Sequence, residues 1–197
     1  MSLILITPPT ATPISLGEVR AQCRVDDASE DALLMAYVRS ATDAVEQMSG
    51  LRLLDQEWEY SIDGFPKHCG WIRLPLAPLF ALISIVYQDA QGVVQTLPVP
   101  TYLIKGLGST QPARLILAPN QTWPSTWPGI GAVIIRAQYG WADHNGVPEA
   151  LRQAVGMLAC HWFENRSTSA AGPDYGPVSS VPFGVRELIE PFKLWSL

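Results

Sequence analysis

The spacing of apolar residues changes twice along this chain, and that change limits what it can fold into. Over residues 29–49, Leu34, Val38, Ala41, Val45 and Met48 recur every three or four positions, with Tyr37 and Ala44 flanking them. That spacing lays one apolar stripe along a helix. From about residue 52 to 140 the period falls to two: Trp58, Tyr60 and Ile62 alternate with Glu59 and Ser61, as in a half-buried strand. Helical spacing returns after Pro148, where Leu151, Val155, Leu158, Ala159 and Trp162 form the next stripe. No single amphipathic helix can bury its own stripe, so the helices at the two ends must pack together. The expected fold is α+β. A helical core with terminal arms is built from residues 1–51 and 146–197, and a small antiparallel β-module is inserted over 52–145.

The punctuation agrees with this division. Ser15-Leu16-Gly17-Glu18 reads as a capping box opening a short helix that runs to about Arg24. Asp27-Ala28-Ser29-Glu30 repeats that spacing ahead of the long helix, and Gly50 stands where a left-handed residue would end it. In the middle, 82–87 and 93–97 are β-rich runs joined by Asp89-Ala90-Gln91-Gly92, a hairpin signal. Residues 102–104, 114–117 and 132–139 are further strands, the last closed by Gly140. Pro148 suits the first turn of the returning helix. Residues 1–14 carry three prolines and should be extended, as an arm or an edge strand. Residues 167–180 read as a flexible loop. A last short helix should stop at Pro191.

Function classes narrow by exclusion. The net charge is −5, and no run of Lys and Arg offers a groove for phosphates, so sequence-specific nucleic-acid binding is not expected. Charged residues make up only 16% of the chain, which suggests that partners cover part of its surface. The N-terminal apolar run stops at Thr7-Pro8-Pro9 and lacks a basic segment before it, unlike a signal peptide. No apolar stretch has the length of a membrane span. Three cysteines, Cys23, Cys69 and Cys160, are odd in number and widely spaced, so a reduced, cytoplasmic setting is the expectation.

No nucleotide-binding, nucleophile-elbow or HExxH motif is present. His68-Cys69 and Cys160-His161 lack metal-ligand spacing, and helical neighbours point about 100° apart. Asp143-His144 reads as a polar loop before a helix and not as a general-base pair. Asn165-Arg166-Ser167 fits the glycosylation pattern only formally. The expectation is therefore no catalytic residue, no metal and no cofactor. Trp123-Pro124-Ser125-Thr126-Trp127-Pro128 is the unusual segment. Its tryptophans could pin a loop to its own sheet, contact another subunit or stack on a sugar.

Taken in order, several segments resemble the phage head–tail connector, or adaptor, family in its longer form with a β-insert. They are Ser15-Leu16-Gly17-Glu18-Val19-Arg20, the long helix ending Gly50-Leu51, Leu74-Pro75-Leu76-Ala77-Pro78 and Tyr139-Gly140-Trp141. Val147 to Ala154, His161-Trp162-Phe163-Glu164-Asn165-Arg166 and Val181-Pro182-Phe183-Gly184-Val185 complete the set. Gene-transfer particles that resemble tailed phages carry similar proteins. The resemblance implies a non-enzymatic structural subunit of a homo-oligomeric ring of about a dozen copies, closed by a heterologous interface. Such a ring sits in the particle neck between the portal protein and a tail-completion or stopper protein. It passes DNA without gripping it and is assembled in the host cytoplasm. Competing readings are another neck or tail-completion protein, or a carbohydrate- or host-binding module using the Trp123/Trp127 loop.

The terminal segments suit the family's clasping arms. Val181, Phe183, Val185, Leu188, Ile189, Phe192, Leu194, Trp195 and Leu197 crowd apolar surface onto a short piece. It is too short to build a core of its own and too apolar to stay solvated. A preceding loop of about fourteen residues would span roughly 20 Å, enough to reach the portal or a neighbouring subunit. Folding back onto its own subunit is the other possibility. Trp123 and Trp127 are the expected subunit contacts.

Overall fold

The computed structural model describes residues 1–67, 70–165 and 182–194. The chain forms two compact units. One joins Met1–Thr10 to Leu54–Ala142, and the other joins Ala11–Leu53 to Asp143–Leu197. The expected division thus shifts at the N-terminus, where the first ten residues belong with the β-module and not with the helices.

In the helical unit, α1 (Leu16–Cys23) begins at the Ser15 capping box. The Ser15 N–H donates to Glu18 Oε2 at 2.6 Å, and the Glu18 N–H donates to Ser15 Oγ at 3.3 Å. The second start signal works differently from its sequence reading. Asp27 accepts the Ser29 N–H at 2.9 Å and caps a single 3₁₀ turn, Ala28–Glu30, which runs into α2 (Asp31–Ser49). Arg20 on α1 donates twice to Asp31 at 2.6 Å, so a two-pronged ion pair fixes the corner between the helices. Gly50 ends α2 with φ +79°, in the left-handed region where a side chain would be strained. The buried Glu46 then takes the departing chain in hand, accepting the Leu53 N–H at 2.7 Å and the Arg52 guanidinium at 2.9 Å.

Helix α3 (Glu149–Glu164) packs against both α1 and α2. Leu34, Val38, Val45, Leu151, Val155 and Leu158 are all buried, together with Val19 of α1. A disulfide between Cys23 and Cys160, with Cα atoms 5.3 Å apart, staples the end of α1 to α3. This corrects the reading of these cysteines as unpaired. The wide spacing that argued against a bridge is closed by the packing of two helices 137 residues apart in sequence. Helix α4 (Phe183–Ile189) and the 3₁₀ turn Glu190–Phe192 complete the unit, with α4 lying on α3.

The β-unit holds two antiparallel sheets. The strands are β1 (Ser2–Thr7), β2 (Gln56–Ile62), β3 (Ile72–Arg73), β4 (Leu79–Gln88), β5 (Val94–Thr96), β6 (Tyr102–Lys105), β7 (Arg114–Leu117) and β8 (Val133–Tyr139). One sheet runs β1-β2-β8-β4-β5 and the other β3-β7-β6. Alternation on β8 sends Val133, Ile135, Ala137 and Tyr139 inward. They meet Ile62, Leu79 and Ile85 of the same sheet and Ile72, Tyr102 and Leu115 of the other in one core. Arg136 points outward and donates to Glu59 across the β2–β8 pair at 3.0 Å. Gly140 closes β8 at φ +102°, and a Cβ there would stand 2.1 Å from the Leu54 carbonyl oxygen, so only glycine fits. The N-terminal segment is an edge strand. Ser2–Leu5 pair with Trp58–Ser61, and Pro8-Pro9 follow directly. The Asp89–Gly92 hairpin forms as its turn residues predict, while the two-residue β3 has no signal of its own in the sequence.

Candidate assembly interface

The two tryptophans of the Pro-rich loop do different jobs. Trp123 lies flat on Phe65, with ring centroids 5.0 Å apart and planes 6° from parallel, and its Nε1–H donates to the Gly70 carbonyl at 2.9 Å. Phe65 in turn meets Tyr87 edge-on at 5.5 Å. Trp123 therefore fastens the loop to its own unit. Trp127 is tied by its backbone N–H to the Gln88 carbonyl at 3.1 Å, while the residue is 38% exposed. A groove beside Trp123 is lined by Phe65, Lys67, Leu117, Trp123 and Thr126.

The C-terminal segment is divided too. Val185 and Ile189 are buried within the helical unit, and Gly184 abuts Met157 of α3. Leu194 packs beside Gly50 and donates its N–H to the Ser49 carbonyl at 2.8 Å. Val185 and Ile189 are thus engaged in their own chain, and Leu194 is half-buried there. An amphipathic turn next to an open helix face buries its apolar side there first. Leu188 and Phe192 are half-buried, and Phe183 is 76% exposed. Val181, Trp195 and Leu197, and the loop 167–180, lie outside the described residues.

The titratable candidates resolve into local roles. Asp143 accepts the Asn145 and Gly146 N–H groups at 2.9 and 3.0 Å, which makes a turn ahead of α3. Cys160 spends its sulfur on Cys23, and the His161 ring lies 3.3 Å from the Asn165 amide. His68 and Cys69 lie outside the described residues. Among the described residues no cluster of His, Cys, Asp and Glu has the geometry of a metal site. Arg152 donates to Glu149, to the Pro13 carbonyl and to Glu18. Hydrogen bonds from Ser15, with the nearby Arg152 charge, hold the Glu18 carboxyl below the usual carboxylate range.

Of the arm and the edge strand that the sequence left open for the N-terminal segment, the structure shows the edge strand, and its apolar side chains are exposed. Every residue of β1 is exposed, with Ile4 at 50%, and at the far edge of the same sheet Val94 is 63% exposed. The signal was present in the uncharged run Ser2-Leu3-Ile4-Leu5-Ile6, but only the sheet order shows that it forms an edge.

Residues 13–89 match the family model described as Phage gp6-like head-tail connector protein. Over that span the chain is similar to head–tail connectors. Solved structures extend the likeness along the whole chain. It resembles a chain in the virion of a native gene transfer agent (GTA) particle with a TM-score of 0.80 and 27% identity. A chain in the neck of an empty GTA particle computed with C6 symmetry aligns with a TM-score of 0.78 and 25% identity. In both cases the alignment covers 100% of this chain and 97% of the other chain. A chain in the neck of a native GTA particle computed with C12 symmetry shares the fold, with a TM-score of 0.75 and 24% identity. No curated protein sequence matches. The chain's mixed architecture of helices and antiparallel sheets matches that of these neck chains, and among its described residues no helix is long and apolar enough to cross a membrane.

Proposed function

We propose that this chain is a structural, non-enzymatic subunit of a ring in the neck of a phage-like or gene-transfer particle, joining the portal to the tail and letting DNA pass. The observation that carries this reading is the full-length likeness to a gene-transfer-agent chain, with both units aligned. Chemistry agrees with it. The chain is acidic at −5 overall, which favours DNA sliding past it over DNA binding. A closed ring needs two different complementary patches on each copy.

Within this reading, Trp127 contacts a neighbouring subunit, while Trp123 supports it from below by holding the loop in place. The exposed Phe183 and the terminal residues beyond Leu194 supply the docking surface toward the portal or a neighbour, and the buried Val185 and Ile189 anchor that surface. A sugar-binding use of the loop has less support, because one face of the Trp123 ring is already taken by Phe65. Electron microscopy of particles made with a tagged chain tests the proposal. Label at the portal–tail junction in a closed ring is the expected result. Label lower in the neck, or at the particle periphery, would overturn it.

A further inference from the structure

Among the described residues the two sheets of the β-unit have four edge strands, and they differ in one respect. Edge strands that are not meant to pair are commonly guarded by charge, lysine above all. In the three-stranded sheet the outer strands are guarded in this way: β3 carries Arg73 and β6 carries Lys105. The outer strands of the five-stranded sheet carry no charge at all. Strand β1 reads Ser-Leu-Ile-Leu-Ile-Thr and β5 reads Val-Gln-Thr, preceded by the exposed Val93. Among the described residues β1 pairs only with β2, and β5 only with β4. On either side of β5, the Val93 carbonyl accepts the Asp89 N–H just past β4, and the Leu97 N–H donates to the Ile85 carbonyl of β4. Backbone groups alternate sides along a strand, so those of Val94 and Thr96 point away from β4, toward the free edge.

Direction matters as much as composition. Every pairing in the order β1-β2-β8-β4-β5 is antiparallel, so β1, β8 and β5 all run the same way. Rotational symmetry carries one copy into the next without reversing it, and joins one patch to a different one. Two unguarded edges on opposite sides of one sheet, with matching strand direction, meet both conditions.

We propose that the β5 edge of one copy pairs, in parallel, with the β1 edge of the next, so that the five-stranded sheets continue from subunit to subunit around the ring. This rests on the ring reading above and names its contact. Main-chain hydrogen bonds supply the junction, and Leu3, Ile4, Leu5 and Val94 supply the apolar cover.

Cysteine cross-linking in whole particles tests it. In a Cys69→Ala background of the full chain, Val94→Cys is combined in turn with Leu3→Cys, Ile4→Cys and Leu5→Cys. Mild oxidation should give a non-reducing gel ladder of multimers for at least one pair, and single variants should give none. If microscopy shows rings but no pair cross-links, or the β1 cysteine is captured by a different protein, the edge proposal is wrong while the ring reading stands. If unsubstituted particles show no ring of this chain, the ring reading fails first. Ile4→Lys and Val94→Lys give these edges the guard that β3 and β6 carry. Each should lower ring-bearing particles about tenfold while the purified chain keeps its circular dichroism and its Cys23–Cys160 bridge. Ring formation at the unsubstituted level would overturn the proposal.

Discussion

The helical unit and the β-unit are held together in different ways. In the helical unit the apolar stripes of α1, α2 and α3 pack together, and among the described residues that packing is reinforced by particular pieces of chemistry: the Cys23–Cys160 bridge, the Arg20–Asp31 fork and the hub at Arg152. In the β-unit the ties are repetitive. Ladder after ladder of backbone pairs surrounds one apolar core, and side chains such as Trp123 merely fasten loops to it. A unit whose packing is reinforced by specific ties can be loosened by one substitution among them. A unit built on many equivalent ties should resist, except where the backbone itself has no room.

The largest effect is expected at such a place. Gly140→Val sets a side chain against the Leu54 carbonyl at a left-handed φ, and should cost the β-unit about 3–5 kcal/mol. Urea unfolding followed by tryptophan fluorescence reads this unit preferentially, because Trp58, Trp71, Trp123, Trp127 and Trp141 all lie in it. A loss below about 1 kcal/mol would mean that the chain around Gly140 moves freely, and the contrast with the helical unit would weaken.

Next comes the bridge. Removing it with paired Cys23→Ala and Cys160→Ala releases a loop of 137 residues and should destabilise the helical unit by about 2–5 kcal/mol. The β-unit's unfolding midpoint should stay in place. Circular dichroism at 222 nm reports the helices, and tryptophan fluorescence reports the sheets. Coincident shifts of both signals would show one cooperative body, and the two-unit description would fail.

The Trp pair separates anchor from contact. Trp123→Ala removes a stacked ring and a hydrogen bond and should cost about 3 kcal/mol of stability. Trp127→Ala should cost under about 0.5 kcal/mol, and lower the yield of joined particles instead. Equal stability losses for the two would return both residues to a purely internal role.

The smallest effect is a pH dependence. The Glu18 carboxyl is held below its ordinary value of 4.5 chiefly by hydrogen bonds with Ser15. A depressed carboxylate contributes stability that is fully present above that ordinary value and is lost as pH falls through the lower folded one. The helical unit should therefore weaken slightly below about pH 4.5, and Glu18→Gln should reduce that dependence. Because Glu18 is partly exposed, solvent screens the effect and the change is small. A variant with an unchanged acid profile would remove the capping box from the forces that position α1.

Local physics makes much of this chain legible in its sequence. A cap is decided within four residues, so Ser15 and Glu18 announce α1. A left-handed stop needs one glycine, so Gly50 announces the end of α2. The stripes of α2 and α3 name the core side chains because helical period alone decides which residues share a face. Order along the chain carries the family resemblance, since motifs keep their sequence when loops vary. Pairing over distance is not legible in this way. Neither Cys23 nor Cys160 signals its partner, because the bridge depends on where two packed helices bring their ends. Residues 2–7 are as compatible with a loose arm as with a strand, and only the exposed side of β2 made them an edge of the sheet. The C-terminal apolar residues could have faced another chain or their own. An open face beside α3 decided for Val185 and Ile189, because burial within one chain carries no cost of association. Period, caps and turns belong to the sequence; partners, edges and bridges were decided by the tertiary structure, where apolar surface and unpaired backbone find the nearest complement.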